Sequence, residues 1–217
     1  ERAKRSSHIN YSFFFGATNT NSDTIKQLDK HLVPAVKLFM GASTGNMLVD
    51  RRNALESIFA TAAAEGLPVM THCEDSGIIN ENMKAAKARY GDDPDISHHY
   101  EIRSEKACCE SSRLAVELAL KHKTRLHIAH LSTARELDLL LQPHVRDFVT
   151  MEAVIAHLYF TNDDYATKRA LIKCNPSVKT AHDRAELRRA LADGRITTVA
   201  TDHAPHLLSQ KQRSEEH

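Results

Sequence analysis

The sequence predicts an α/β fold, with a parallel sheet and helices packed outside it. Two observations lead there. Apolar residues gather in six short β-rich runs, and most of these runs are separated by longer amphipathic stretches with helix-type ends. Near-continuous apolar strands belong to a sheet covered on both faces, and the strand, helix, strand order calls for parallel pairing.

The first run is Tyr11 to Ala17, and the second, Ala35 to Gly41, carries Lys37 in its middle. Asp50 is placed to cap a helix bearing Leu55, Ile58, Phe59 and Ala62, and Gly66 stands where a left-handed stop is wanted. The third run, Pro68 to Cys73, contains His72 near its end. An unusually long connection, Asp75 to Arg103, follows and holds a short helix, GDDPD and the pair His98-His99. Connections of that length after a strand's C-terminal end are functional loops or insertions.

Ser104 to His122 reads as a long helix, and Arg125 to Leu131 as the fourth strand, with His130 near its end. Thr133 and Glu136 form a capping-box pattern ahead of Leu137, Leu140 and Leu141. Phe148 to Ile155 is the fifth strand. Thr180 and Asp183 open a helix that carries Leu187, Ala190 and Leu191 and stops at Gly194, and Ile196 to Thr201 is the sixth strand, with Asp202 just beyond it.

A chain of 217 residues with 41% apolar content buries one sizeable core, so residues 1–217 are expected to form one domain. A formal charge of +1 gives no electrostatic reason to expect nucleic acid or an anionic membrane, and a small-molecule partner is the better expectation. Four cysteines without a C-x-x-C pair read as reduced thiols of a cytoplasmic protein. No apolar run approaches the ~20 residues that span a bilayer.

In a parallel α/β barrel the reacting groups project from the C-terminal ends of the strands. His72, His130 and Asp202 fall there, and imidazole with carboxylate suits a divalent ion such as zinc. Lys37, mid-strand among apolar neighbours, must be neutralised, paired or chemically changed. A single strand-end histidine is more often a hydrogen-bonded core residue than a ligand; it is the joint placement of four groups that favours a metal site. Strand alternation points His127 away from His130, and it is read as structural. His98 and His99 have no assigned task.

The motifs VKLFMGASTGNMLVD from Val36, THCED from Thr71, HIAHLST from His127, KCNPSVKT from Lys173 and ATDHAPH from Ala200 resemble those of the dihydroorotases, in the cyclic-amidohydrolase branch of the amidohydrolase superfamily. The resemblance implies a TIM-like (β/α)8 barrel, incomplete here: the six runs correspond to its third to eighth strands, and the first two strands and a small β domain are missing. It also implies a binuclear zinc centre interconverting dihydroorotate and N-carbamoyl-L-aspartate in pyrimidine biosynthesis. On the matching positions, Lys37 would be the lysine carboxylated by CO2 to bridge two metals, and His72 and His130 would hold one of them. Asp202 would be both ligand and proton carrier, while Asn175 and His206 would contact substrate.

The sequence departs from the family in lacking a His-x-His pair, which in the family supplies the first metal. The chain is therefore expected to be an ordered part of a longer enzyme and inactive by itself. A homo-oligomer is compatible with this reading. Two alternatives stay open: a hydrolase of another cyclic amide, such as a hydantoinase, dihydropyrimidinase or allantoinase, and a catalytically dead amidohydrolase-like scaffold.

Overall fold

A computed structural model describes residues 1–41 and 47–211. Part of the Val36 to Asp50 motif, at 42–46, and the last six residues lie outside the described residues.

The six expected strands form, each shorter than its apolar run: β1 Phe15–Gly16, β2 Val36–Phe39, β3 Val69–His72, β4 Leu126–Ile128, β5 Val149–Val154 and β6 Thr198–Ala200. They make one sheet in the order β1-β2-β3-β4-β5-β6, and every pair is parallel. Among the described residues β1 and β6 pair on one side only. The run before β1 does not join the ladder, and Tyr11, Phe13 and Phe14 in it are exposed.

Alternation gives the sheet two unlike faces. Val36, Leu38, Val69, Leu126, Ile128 and Met151 are buried in one continuous apolar core. Leu55, Ile58 and Phe59 of the helix Arg52–Ala64, Leu118 of the helix Glu105–His122 and Leu137 of the helix Ala134–Leu140 pack into the same core. Phe59 and Leu118 are fully buried, and side chains of this size stabilise by about 1.5–3 kcal/mol each. The opposite face carries a row set by register, in which Lys37 pairs Met70, Met70 pairs His127 and His127 pairs Thr150. Phe39 and His72 form the next row towards the strand ends. The chemistry-bearing groups therefore share the face that the core does not use.

Several helix ends behave as the sequence predicts. Gly66 and Gly194 adopt positive φ, at 68° and 79°. Thr180 and Asp183 make both hydrogen bonds of a capping box at the helix Ala181–Ala192. At Thr133 only half of that pattern forms: its hydroxyl accepts the Glu136 N–H, while the Glu136 carboxylate turns to the hydroxyls of Thr133 and Ser112.

Two expectations fail. Asp50 does not cap the helix Arg52–Ala64; Arg51 occupies that position, and the Asp50 carboxylate instead accepts a hydrogen bond from Asn19 Nδ2 at 3.0 Å. The long connection holds more regular structure than a short helix, with Ser76–Tyr90 helical over 15 residues and a single turn at His99–Ile102.

Candidate functional site

The strand-end groups occupy one end of the sheet. His72 is the last residue of β3 and His130 lies two residues past β4. His130 has φ 40°, and this left-handed turn breaks the alternation that would have separated it from His127. The expectation that His127 faces away is therefore corrected: it lies on the Lys37 face, with Nδ1 2.8 Å from Thr150 Oγ1 and Nε2 3.3 Å from Glu152 Oε2. Glu152 also accepts the His130 backbone N–H at 3.2 Å, so it ties the two histidines together.

His72 Nδ1 and His130 Nε2 lie 3.1 Å apart, both rings buried. Two nitrogens bound to one tetrahedral zinc at 2.0–2.1 Å stand about 3.3 Å from each other, so this spacing fits a shared ion. The other side of His72 is fixed: Nε2 is 2.8 Å from Glu74 Oε2, which also receives Arg103 Nη1 at 2.6 Å. A ligating histidine that gives its second N–H to a carboxylate keeps the lone pair of its first nitrogen directed at the metal. Burial, with His72 and Lys37 nearby, pushes the His130 pKa well down, so its ring is neutral, as a ligand must be.

Lys37 shares the face, its Nζ 5.0 Å from the centre of the Phe39 ring. Burial lowers its pKa against the opposing charges of Cys73, Asp202 and Glu152. Asp202 follows β6 with φ 45° and is exposed, and its charge acts on Lys37 and on the Cys174 thiol. Asn175 is exposed, with Oδ1 3.2 Å from His99 Nε2, and His206 is exposed on the segment leading to the helix Leu208–Lys211.

The structure thus brings His72 and His130 into one pair, sets Lys37 on their face and places Asp202 within electrostatic reach of Lys37. Among the described residues no group of three or more His, Cys, Asp or Glu side chains is assembled to hold a metal. Sequence reasoning missed Glu74, Arg103, Glu152 and His99. An acid inside the apolar run FVTMEAVI was a usable signal for Glu152; Glu74 lies in the THCED motif and His99 in the His98-His99 pair, but no local pattern gave either a task.

The chain and its fold are similar to known proteins. No family model matches the chain. The dihydroorotase of Methanosarcina acetivorans is 30% identical over 223 aligned positions, which cover 96% of this chain and 45% of that protein. The chain is a homologue of the cyclic amidohydrolases. The allantoinase of Desulfitobacterium hafniense is 28% identical over 94% of this cyclic-amidohydrolase homologue and 45% of its own length. The solved L-hydantoinase (dihydropyrimidinase) of Arthrobacter aurescens superposes with a TM-score of 0.86 at 25% identity, covering 94% of this chain and 45% of that one. The six-stranded sheet is accordingly an incomplete (β/α)8 barrel. The homologue spans about 45% of the length of the curated relatives it matches.

Proposed function

We propose that the protein carrying this chain is a zinc-dependent hydrolase that interconverts dihydroorotate and N-carbamoyl-L-aspartate. The observation that carries the reading is the facing pair His72 Nδ1 and His130 Nε2, 3.1 Å apart, on the same sheet face as Lys37. The complete site would take two zinc ions. His72 and His130 would hold one, and Asp202 would ligate the other. Lys37 would be a further ligand as a carbamate: its ammonium loses one proton, and the neutral Nζ then bonds to the carbon of CO2 and loses a second, so that a cation becomes an anionic ligand. Bound zinc supplies Lewis acidity toward the ring carbonyl and a lowered pKa for water.

The protein's own groups supply the rest. In ring opening a C–O bond forms from water to the carbonyl carbon and the ring C–N bond breaks. Asp202 takes the proton from the water and delivers it to the departing nitrogen, which would otherwise leave poorly. His206 would complement the free carboxylate of the substrate, and Asn175 would contact the ring.

Dihydroorotate is favoured among cyclic amides by the similarity to dihydroorotases and by the Asn175-Pro176 and Ala204-Pro205-His206 segments of the matching motifs. The test is a panel of dihydroorotate, hydantoin and allantoin with the zinc-loaded protein. Dihydroorotate should be opened with the highest kcat/KM, and preference for a ring without a carboxylate would reject the choice. The similarity to an allantoinase and to a hydantoinase keeps a second reading, in which the same ligands open a ring lacking that carboxylate. A protein that binds less than one zinc per chain and opens none of the three rings would be a scaffold.

A further inference from the structure

The long connection after β3 carries His99, a buried histidine that the chemistry above does not use. We propose that His99 is a positioning residue that fixes the side-chain amide of Asn175 so that its NH2, and not its oxygen, is presented to the substrate.

His99 Nε2 lies 3.1 Å from the Cys174 carbonyl oxygen and 3.2 Å from Asn175 Oδ1. A carbonyl only accepts, so Nε2 must carry the proton, and the ring is the Nε2–H tautomer. That proton is shared between the main-chain and side-chain oxygens of neighbouring residues. If the Asn175 amide were flipped, its NH2 would point at an N–H, a donor facing a donor, so the histidine excludes that orientation. With Oδ1 held, the two Nδ2 hydrogens of the exposed Asn175 are the groups left for a ligand. The partner they fit is an acceptor, a ring carbonyl rather than a ring N–H.

The surroundings hold this geometry from both sides. His157 Nε2 bonds the Pro176 carbonyl at 2.9 Å, so two buried imidazoles bracket Asn175 at the carbonyls before and after it. Ser177 Oγ donates to the Arg103 carbonyl at 3.0 Å, and Asp95 pairs Arg169. Ile96 of the connection is buried together with Tyr165, Ile172 and Val178, which surround the Asn175 loop in sequence. Burial, followed by the charge of Arg103, lowers the His99 pKa to about 3, so the donor stays neutral at working pH. The connection therefore acts as a clamp that sets the hydrogen-bond polarity of the loop.

The inference rests on the reading that Asn175 contacts substrate, and the test separates the two. Steady-state kinetics on the zinc-loaded protein would compare wild type with Asn175→Ala, Asn175→Asp, His99→Phe and His99→Gln. Asn175→Ala and Asn175→Asp should raise KM about tenfold or more, because neither keeps an NH2 donor. His99→Phe should raise KM to a similar extent with kcat changed less than about threefold, and His99→Gln, which retains a donor, should restore KM. The pair His99→Phe with Asn175→Ala should be no worse than Asn175→Ala alone. A wild-type KM in Asn175→Ala overturns the substrate role of Asn175 and with it this inference. A raised KM in Asn175→Ala beside a wild-type KM in His99→Phe overturns the inference alone. Independently of turnover, long-range 1H–15N correlation spectra of the imidazoles should show His99 as the Nε2–H tautomer, and an Nδ1–H tautomer would refute the proposal even if a His99 variant failed to fold.

Discussion

The fully buried carboxylate of Glu74 accepts a hydrogen bond from His72 Nε2 at 2.8 Å while Arg103 reaches the same oxygen. Burial pushes this carboxyl up, but the His72 hydrogen bond and the Arg103 charge outweigh burial and bring it down to about 2. Glu74 is therefore an anion that holds the His72 ring in one orientation. Glu74→Gln keeps an acceptor of the same shape and removes the charge. Zinc affinity should fall about 10- to 100-fold, as for other carboxylates that orient a ligating histidine. Competition with a chromophoric chelator measures it, and an unchanged Kd would show that His72 is oriented by something else.

The backbone of Glu74 is as constrained as its side chain. A Cβ built on Gly41 would stand 1.6 Å from the Glu74 carbonyl oxygen, a main-chain atom that no rotamer change can move. Gly41→Ala must separate the ends of β2 and β3, and overpacking of this kind costs about 1–3 kcal/mol or more. The expected outcome is a lower Tm together with weaker zinc binding, because the displaced segment carries both His72 and Glu74. A variant with wild-type Tm and zinc content would contradict it.

The six strands and the helices between them were legible because burial on one face leaves apolar runs of the right length and glycines at the helix stops. Strand lengths were not. Tyr11, Phe13 and Phe14 are as apolar as strand residues but have no partner strand beside them among the described residues, and composition alone does not report pairing. The placement of His72, His130 and Asp202 at or just past strand ends was legible. Their mutual geometry was illegible where it depends on a break in the pattern: the positive φ of His130 returns its ring to the His72 face, against alternation. His99 and Asn175 meet across 76 positions, and no local pattern announces such a contact.

The capping box at Thr180 offers a graded stability test. Thr180→Ala removes one side-chain acceptor for the Asp183 N–H and should cost about 1 kcal/mol. Asp183→Ala should cost more. The buried Asp183 carboxylate accepts from Thr180 N at 3.0 Å and Thr180 Oγ1 at 2.6 Å, and from Ala134 N at 2.8 Å at the start of the helix Ala134–Leu140. Its loss uncaps two helices at once and leaves their N–H groups without these acceptors. Urea unfolding of the two variants orders them, and an equal cost would mean that the Ala134 bond contributes nothing.

The two imidazoles that bracket Asn175 give stability a defined pH dependence. Burial lowers the pKa of His99 to about 3 and that of His157 to about 4. In the unfolded chain both return to the ordinary value near 6.5. Below about pH 6.5 the unfolded chain therefore binds protons that the folded chain refuses, and stability falls as the pH falls. The loss runs from about pH 6.5 down to about 4 for His157 and about 3 for His99, at up to about 1.4 kcal/mol per pH unit for each ring. Glu74 adds to it only lower, between its ordinary range near 4.5 and about 2, where protonation removes the carboxylate that His72 and Arg103 require. Urea midpoints of metal-free protein at pH 7.5 and pH 5 should therefore differ strongly in wild type, at a pH where Glu74 is still ionised. His157→Gln, which has no proton to refuse, should narrow the difference, and a His157→Gln variant as acid-sensitive as wild type would remove His157 from the account.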